Sequence, residues 1–349
     1  MSDTAGTSAT APAQALHRTA SSPDERAPVL QVDGLSLHYR TRFGEVVHAV
    51  DDVSFSLAEG EVFGIAGESG CGKSTLVNGV MGLLLPPLYR TAGHVRIDGM
   101  ELFGMSAPQL RRDVLGVKVS MIPQGALNSL NPSRKVRDVA VDMVRSHEPG
   151  RSRREIHERL RERFEAIGLD PRVLGAYPVE LSGGMKQRVV IGISTLMNPR
   201  VVIADEPSSA LDVSTQKAVI ELLLDLLRRK VIGSMVFITH ELPLLYHISN
   251  RIAVMYAGQI VEVGTRDQII HDPRHPYTRA LMQSMLLAEP GTRGAETIAL
   301  AGAPPSLYEL PAGCRFAPRC PMVHADVCPH TAQQLHSVGE REVRCQYAD

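Results

Sequence analysis

The chain has 349 residues, with 37 basic and 38 acidic side chains and a formal net charge of −1. That length allows one large domain or two modest ones, each with its own core. The balanced charge excludes the broad basic field of a nucleic-acid binder, so no nucleic-acid partner is expected. No run of 18 apolar residues occurs, and "MSDTAGTSATAPAQ" has neither the basic start nor the apolar stretch of a secretion signal. A cytosolic chain is therefore expected, and in that reducing compartment clustered cysteines lean toward metal, redox chemistry or simple burial rather than disulfides.

Residues 1–28 are rich in Ala, Ser, Thr and Pro without a hydrophobic period, which predicts a flexible leader. From Val29 short β-rich runs follow: "VLQVDGLSLHY", "EVVHAVDDVSFSLAEG" and "EVFGIAG", the last leading through a Gly-rich turn into the helical "KSTLVNGVMGLL". The stretch from Ser106 to Gly168 reads as mainly helical, with Ser133 and Ser152 as N-caps. Then come the apolar strand "RVVIADE", the helix "STQKAVIELLLDLLRRK", the strand "GSMVFITH" and a hairpin "RIAVMYAGQIVEVG" turning near Ala257 and Gly258. This alternation implies an α/β fold with a mainly parallel sheet. After about residue 268 Pro and Gly become frequent, which marks 269–349 as an appended region.

"GESGCGKS", residues 67–74, matches G-x-x-x-x-G-K-[ST] and lies between a predicted strand and a predicted helix, the context that this motif requires. Backbone N–H groups in such a loop turn inward on phosphate oxygens, Lys73 can reach the terminal phosphates, and Ser74 can ligate Mg²⁺. The ATP-binding set is thus Gly67, Glu68, Ser69, Gly70, Cys71, Gly72, Lys73, Ser74 and Thr75. "VVIADE" would present Asp205 and Glu206 at the C-terminal edge of a buried strand, where ligands of open sheets bind. Asp205 suits the Mg²⁺ shell, and Glu206 suits the orientation or deprotonation of attacking water. Without the phosphate loop, such an acidic pair would be read as a solvated loop.

Between these elements stands "LSGGMKQRVVI", residues 181–191. Here the chain closely resembles the ATP-binding cassette family, whose signature begins LSGGQ; Met185 replaces that Gln. The resemblance runs from about Val29 to the C-terminus. It implies a P-loop NTPase cassette over residues 29–268, with a mixed-sheet core and a helical subdomain over about 106–190. It implies further that Tyr39 stacks on adenine and that Gln124 contacts Mg²⁺ and follows a membrane partner. Ser182, Gly183, Gly184, Lys186 and Gln187 would address the ATP of a partner cassette, Asp212 would cross between subunits, and His240 would contact the γ-phosphate. Because one phosphate loop and one signature are present, the chain should work as a dimer. "GGMKQRVVI", "QGALNSLNP", "VMYAGQIVEVG" and "HDPRHPYTRALMQSM" resemble the D-type ATPases of oligopeptide and dipeptide importers. That implies a related F-type cassette as heterodimer partner, two transmembrane permease subunits, an external solute-binding protein, and a peripheral position on the cytoplasmic face of the plasma membrane. Nickel and oligosaccharide importers share the subfamily. Cassette ATPases outside transport carry two cassettes or a long coiled coil, and neither is seen.

Four of the five cysteines lie near the end: Cys314, Cys320, Cys328 and Cys345. Their spacing is not the paired C-x₂-C of common zinc sites nor a ferredoxin pattern, so by spacing alone they could equally be unliganded thiols. A short Pro-broken tail has little core of its own, which favours a metal staple. The tail also resembles the C-terminal region of oligopeptide-importer ATPases, where four cysteines can bind a [4Fe–4S] cluster; zinc is the alternative. On either reading the cysteines are expected to lie outside the hydrolytic machinery.

Overall fold

The computed structural model describes residues 27–125, 129–209, 211–286 and 302–348; the predicted leader lies outside them except for its last two residues. The N-terminal strands β1 (Leu30–Arg40) and β2 (Val46–Leu57) pair antiparallel and precede β3 (Val62–Ala66) and the helix α1 (Lys73–Val80). Next come β4 (Leu88–Ile97), β5 (Met100–Glu101), α2 (Ala107–Asp113) and β6 (Val119–Ile122), then α3 (Val136–His147), α4 (Arg153–Ala166) and α5 (Gly183–Ser194). The second half runs β7 (Val201–Asp205), α6 (Val213–Arg228), β8 (Ser234–Ile238), α7 (Leu242–Ile248), β9 (Arg251–Tyr256), β10 (Gln259–Thr265), α8 (Arg266–His271) and α9 (Pro276–Leu286). The chain closes with the short hairpin β11 (His336–Val338) and β12 (Arg341–Val343).

Two sheets result. One has the order β2-β1-β4-β5 and is antiparallel; the other has the order β11-β12-β10-β9-β3-β8-β7-β6. In the large sheet β9, β3, β8, β7 and β6 are parallel, while β10 and β12 extend it antiparallel, so the sheet is mixed. The parallel strands are buried on both faces, which is why "VVIAD" and "SMVFI" read as unbroken apolar runs rather than alternating ones. Val202, Ala204, Met235 and Phe237 face one core, with Val219, Leu223 and Leu226 of α6; Val201, Ile203, Val236 and Ile238 face the other, with Leu76 and Val80 of α1 and the small sheet. A third, smaller core of Ala140, Val144, Ile156, Leu160 and Leu196 holds α3 and α4 together.

Ser152 caps α4 as expected, in a reciprocal box with Glu155. Ser133 does not cap α3. Asn131 engages the Ser133 N–H through its side chain and the Arg134 N–H through its carbonyl, and this turn delays the helix until Val136, behind Lys135. The stretch read as helical also contains β6, whose four residues are too few to show a period of their own. The hairpin turn falls at Ala257 and Gly258, both at positive φ as a two-residue turn requires. No helix among the described residues is long and apolar enough to cross a membrane.

Residues 302–348 are stitched onto the large sheet rather than trailing from it. β12 pairs with β10, and Phe316, 1% exposed, wedges between Tyr256 and Tyr277. Phe316→Ala should therefore cost about 3–5 kcal/mol in denaturant unfolding and make the region beyond residue 301 sensitive to limited proteolysis. An unchanged midpoint with unchanged protection would contradict this wedge.

Candidate active site

Parallel pairing sets the site. β3, β8, β7 and β6 are neighbours, and their C-terminal ends deliver the phosphate loop, Thr239 and His240, Asp205 and Glu206, and Gln124 to one sheet edge.

The phosphate loop leaves β3 at Gly67 and enters α1 after Gly72. Both glycines are forced: a Cβ on Gly67 would lie 2.2 Å from the Met255 carbonyl oxygen, and one on Gly72 2.1 Å from that of Ala49. Ser69 and Gly70 are exposed at the loop tip, whereas Cys71 is buried beneath it, and burial pushes its thiol pKa up. Lys73 is buried and donates to the carbonyl oxygens of Gly67 (2.7 Å) and Glu68 (2.9 Å). Tyr39, at the end of β1, shares a 3.1 Å hydrogen bond with the Thr75 hydroxyl, which sets its ring beside the start of α1.

Asp205 is buried, and desolvation raises its pKa; the Ser74 hydroxyl and Lys73 oppose that shift, while neighbouring Glu206 adds to it. The Asp205 and Ser74 oxygens fit a hard divalent cation, and Mg²⁺ typically takes few protein ligands, leaving the rest of its shell to water and phosphate. Glu206 sits at φ 45°, its N–H donating to the Ile238 carbonyl, and its carboxylate is held from two sides. Gln124 Nε2 donates to Oε2 at 2.9 Å, and His240 Nδ1 pairs with Oε1 at 2.9 Å. The three residues expected around a γ-phosphate are thus brought together, with Gln124 and His240 both directed at Glu206.

The signature stands apart from this edge. Ser182 caps α5 by accepting from the Met185 N–H, and with Gly184, Arg188, Ser214 and Thr215 it lines a separate open groove. Gly183 is exposed and Lys186 half-buried, but Gln187 is 2% exposed and donates to the Pro207 carbonyl, tying the signature helix to the turn after the acidic strand. Asp212 caps α6 through the Thr215 N–H and also binds the Ser214 and Thr215 hydroxyls, which hold its carboxyl below the usual range.

The four late cysteines do converge. Cys314, Cys320, Cys328 and Cys345 line one cavity with His275, Phe316, Met322 and Tyr347. Burial raises the pKa of Cys314 and Cys345 and pushes Cys320 to about 11. Among the described residues, however, no three His, Cys, Asp or Glu stand close enough to hold a metal ion, which corrects the expected ligand set as far as a single ion is concerned. A lone zinc needs every sulfur about 2.3 Å from one point, and these thiols ring a cavity instead.

The region that carries the cysteines nevertheless reaches the phosphate loop. Arg319, next to Cys320, makes a two-pronged ion pair with Glu68 of the phosphate loop, at 2.8 and 3.0 Å. The Tyr277 hydroxyl accepts from the Glu68 N–H at 3.0 Å, and Arg315 binds Asp51 and the Ala257 carbonyl. The contacts to Glu68 and Asp51 join residues more than 200 positions apart, so local sequence does not reveal them.

Comparison with known proteins agrees with this geometry. A family model described as "ABC transporter" matches residues 50–209, and one described as "Oligopeptide/dipeptide transporter, C-terminal region" matches 261–328. The oligopeptide transport ATP-binding protein OppF of Escherichia coli K12 is 38% identical, over 93% of this chain and 97% of that protein. The dipeptide transport ATP-binding protein DppD of Haemophilus influenzae is 39% identical, over 91% and 94%. The dimeric structure of MJ0796, described as a bacterial ABC transporter cassette, superposes with TM-score 0.60 at 26% identity, over 68% of this chain and 98% of that one.

Because burial raises the Asp205 pKa, its ionised form carries a penalty that is absent below the unfolded pKa, grows as pH rises from there, and is complete above the folded pKa. Asp205→Asn should accordingly raise the melting temperature of the nucleotide-free chain at pH 7, with the gain vanishing toward pH 3, while weakening Mg²⁺ binding in the presence of ATP by about 10–100-fold. A destabilised nucleotide-free variant would contradict the assignment.

Proposed function

This chain belongs to the ABC transporter family, among the ATP-binding proteins of oligopeptide and dipeptide transport, and we propose that it hydrolyses ATP to drive uptake of di- and oligopeptides through partner permeases. The observation that carries this reading is the Glu206 carboxylate held between Gln124 and His240 on the same sheet edge as the phosphate loop. ATP would take the loop N–H groups and Lys73, with Tyr39 against the adenine. Bound there, Mg²⁺ would be held by Ser74, Asp205 and Gln124 and would offset charge on the β- and γ-phosphates. Glu206 accepts a proton from water lined up on the γ-phosphorus while His240 fixes the carboxylate and meets the γ-phosphate; the water oxygen bonds to phosphorus as the P–O bond to ADP breaks, and ADP and phosphate leave.

The signature groove of this chain would close over the ATP of a second, F-type cassette, with Ser182, Gly183, Gly184 and Lys186 facing that nucleotide and Asp212 at the crossing. Support comes from the lining of that groove, which includes none of residues 67–75 of the chain's own phosphate loop. Two permeases, an external solute-binding protein and a peripheral place on the cytoplasmic face of the membrane complete the reading. Glu206→Gln should keep ATP affinity within about twofold while lowering ATP turnover of the assembled complex by about 10²–10⁴-fold and abolishing peptide uptake. Undiminished turnover would remove Glu206 as the base.

We further infer that Cys314, Cys320, Cys328 and Cys345 hold a [4Fe–4S] cluster. Four thiols around one cavity support it, and a multinuclear cluster suits sulfurs set wider than one ion tolerates. When bound it would supply a structural cross-link and no step of hydrolysis. Anaerobic purification should give a brown protein with iron and acid-labile sulfide in equal amounts; a colourless protein, with zinc or with no metal, would contradict the cluster.

A further inference from the structure

Glu68 places a carboxylate in the loop proposed to accept a polyanion. Its side chain is 24% exposed, its own backbone carbonyl receives Lys73, and its N–H is donated outward to Tyr277. An uncompensated carboxylate at that point would oppose ATP phosphates across a partly desolvated site. The compensation comes from Arg319, whose side chain is 5% exposed. Its guanidinium meets both Glu68 oxygens in the planar fork that only Arg can form, and contacts the Tyr256 hydroxyl at 3.3 Å with its Cζ 5.7 Å from that ring's centroid. Arg319 closes the short turn Ala317–Arg319, whose neighbours Phe316 and Cys320 line the cysteine cavity, so its position is fixed by the packing of the tail.

Resting on the ATPase reading above and extending it, we propose that Arg319 is a positioning residue for the phosphate loop: it neutralises Glu68 and holds the loop's first half in register, so that the C-terminal region takes part in ATP binding. When Lys73 leaves the Gly67 and Glu68 carbonyls for the nucleotide, Arg319 and Tyr277 still hold Glu68. A purely mechanical tail contact and a charge-compensating one differ in a measurable way. If the role is charge compensation, the defect of losing Arg319 is relieved by also removing the carboxylate.

Full-length wild type, R319A, R319K and R319A/E68Q are titrated with Mg-ATP by calorimetry, with Lys73→Ala as the loss-of-site control. R319A should raise the Kd about tenfold, the order expected of one uncovered charge at a partly buried site. R319K, which keeps the charge but not the fork, should fall between, and R319A/E68Q should return to within about threefold of wild type. In the assembled complex R319A should raise KM for ATP by a similar factor with kcat changed less than twofold. An R319A Kd within twofold of wild type, or a double variant that binds as weakly as R319A, overturns the proposal. Should R319A fail to fold, R319K against R319K/E68Q reads the same rescue, and absence of rescue there overturns it equally. Wild type that binds no Mg-ATP, or Lys73→Ala that binds as well as wild type, would instead break the ATPase reading itself.

Discussion

The constraint on which the rest of the molecule depends is the parallel register of four adjacent strands. Because β3, β8, β7 and β6 run the same way side by side, their ends fall on one edge, and residues as far apart in sequence as Gly67, Gln124, Glu206 and His240 become neighbours. Burial of both sheet faces fixes that register, since a slip of one residue would exchange the two cores. The helices and the small antiparallel sheet serve this edge by covering those faces. Tyr39, at the end of β1, is brought against α1 in the same way.

The reactive groups satisfy one another. Lys73 rests on the loop carbonyls, Ser74 on Asp205, and Gln124 and His240 on Glu206. This costs less than leaving buried polar groups unpaired. Ser182 and Gly184 open onto another groove, while Gln187 points inward to Pro207. The C-terminal region adds a brace, with Arg319 and Tyr277 both bound to Glu68 of the same loop.

Much of the site was legible in the sequence because it is encoded by local spacing. The phosphate loop, the acidic pair after an apolar run and the serine before two glycines each carry their geometry within a few residues. β6 escaped notice since a four-residue strand inside a helical stretch shows no period, and Ser133 was a false cap because Asn131 captured the neighbouring backbone first. The docking of the tail was illegible for a different reason. Glu68 and Arg319 lie 251 positions apart, and nothing in the residues around either names the other. The cysteine spacing likewise gave no hint that four thiols would ring one cavity with Phe316 as its wall.

If ATP hydrolysis at this edge drives peptide uptake, the two are coupled in the complex reconstituted in vesicles, with ATP turnover measured as peptide-loaded binding protein is added on the outer side. Turnover should rise with loaded binding protein, and peptide should accumulate inside the vesicles but not with the Glu206→Gln variant. Turnover indifferent to peptide, or uptake that persists without hydrolysis, would contradict this coupling.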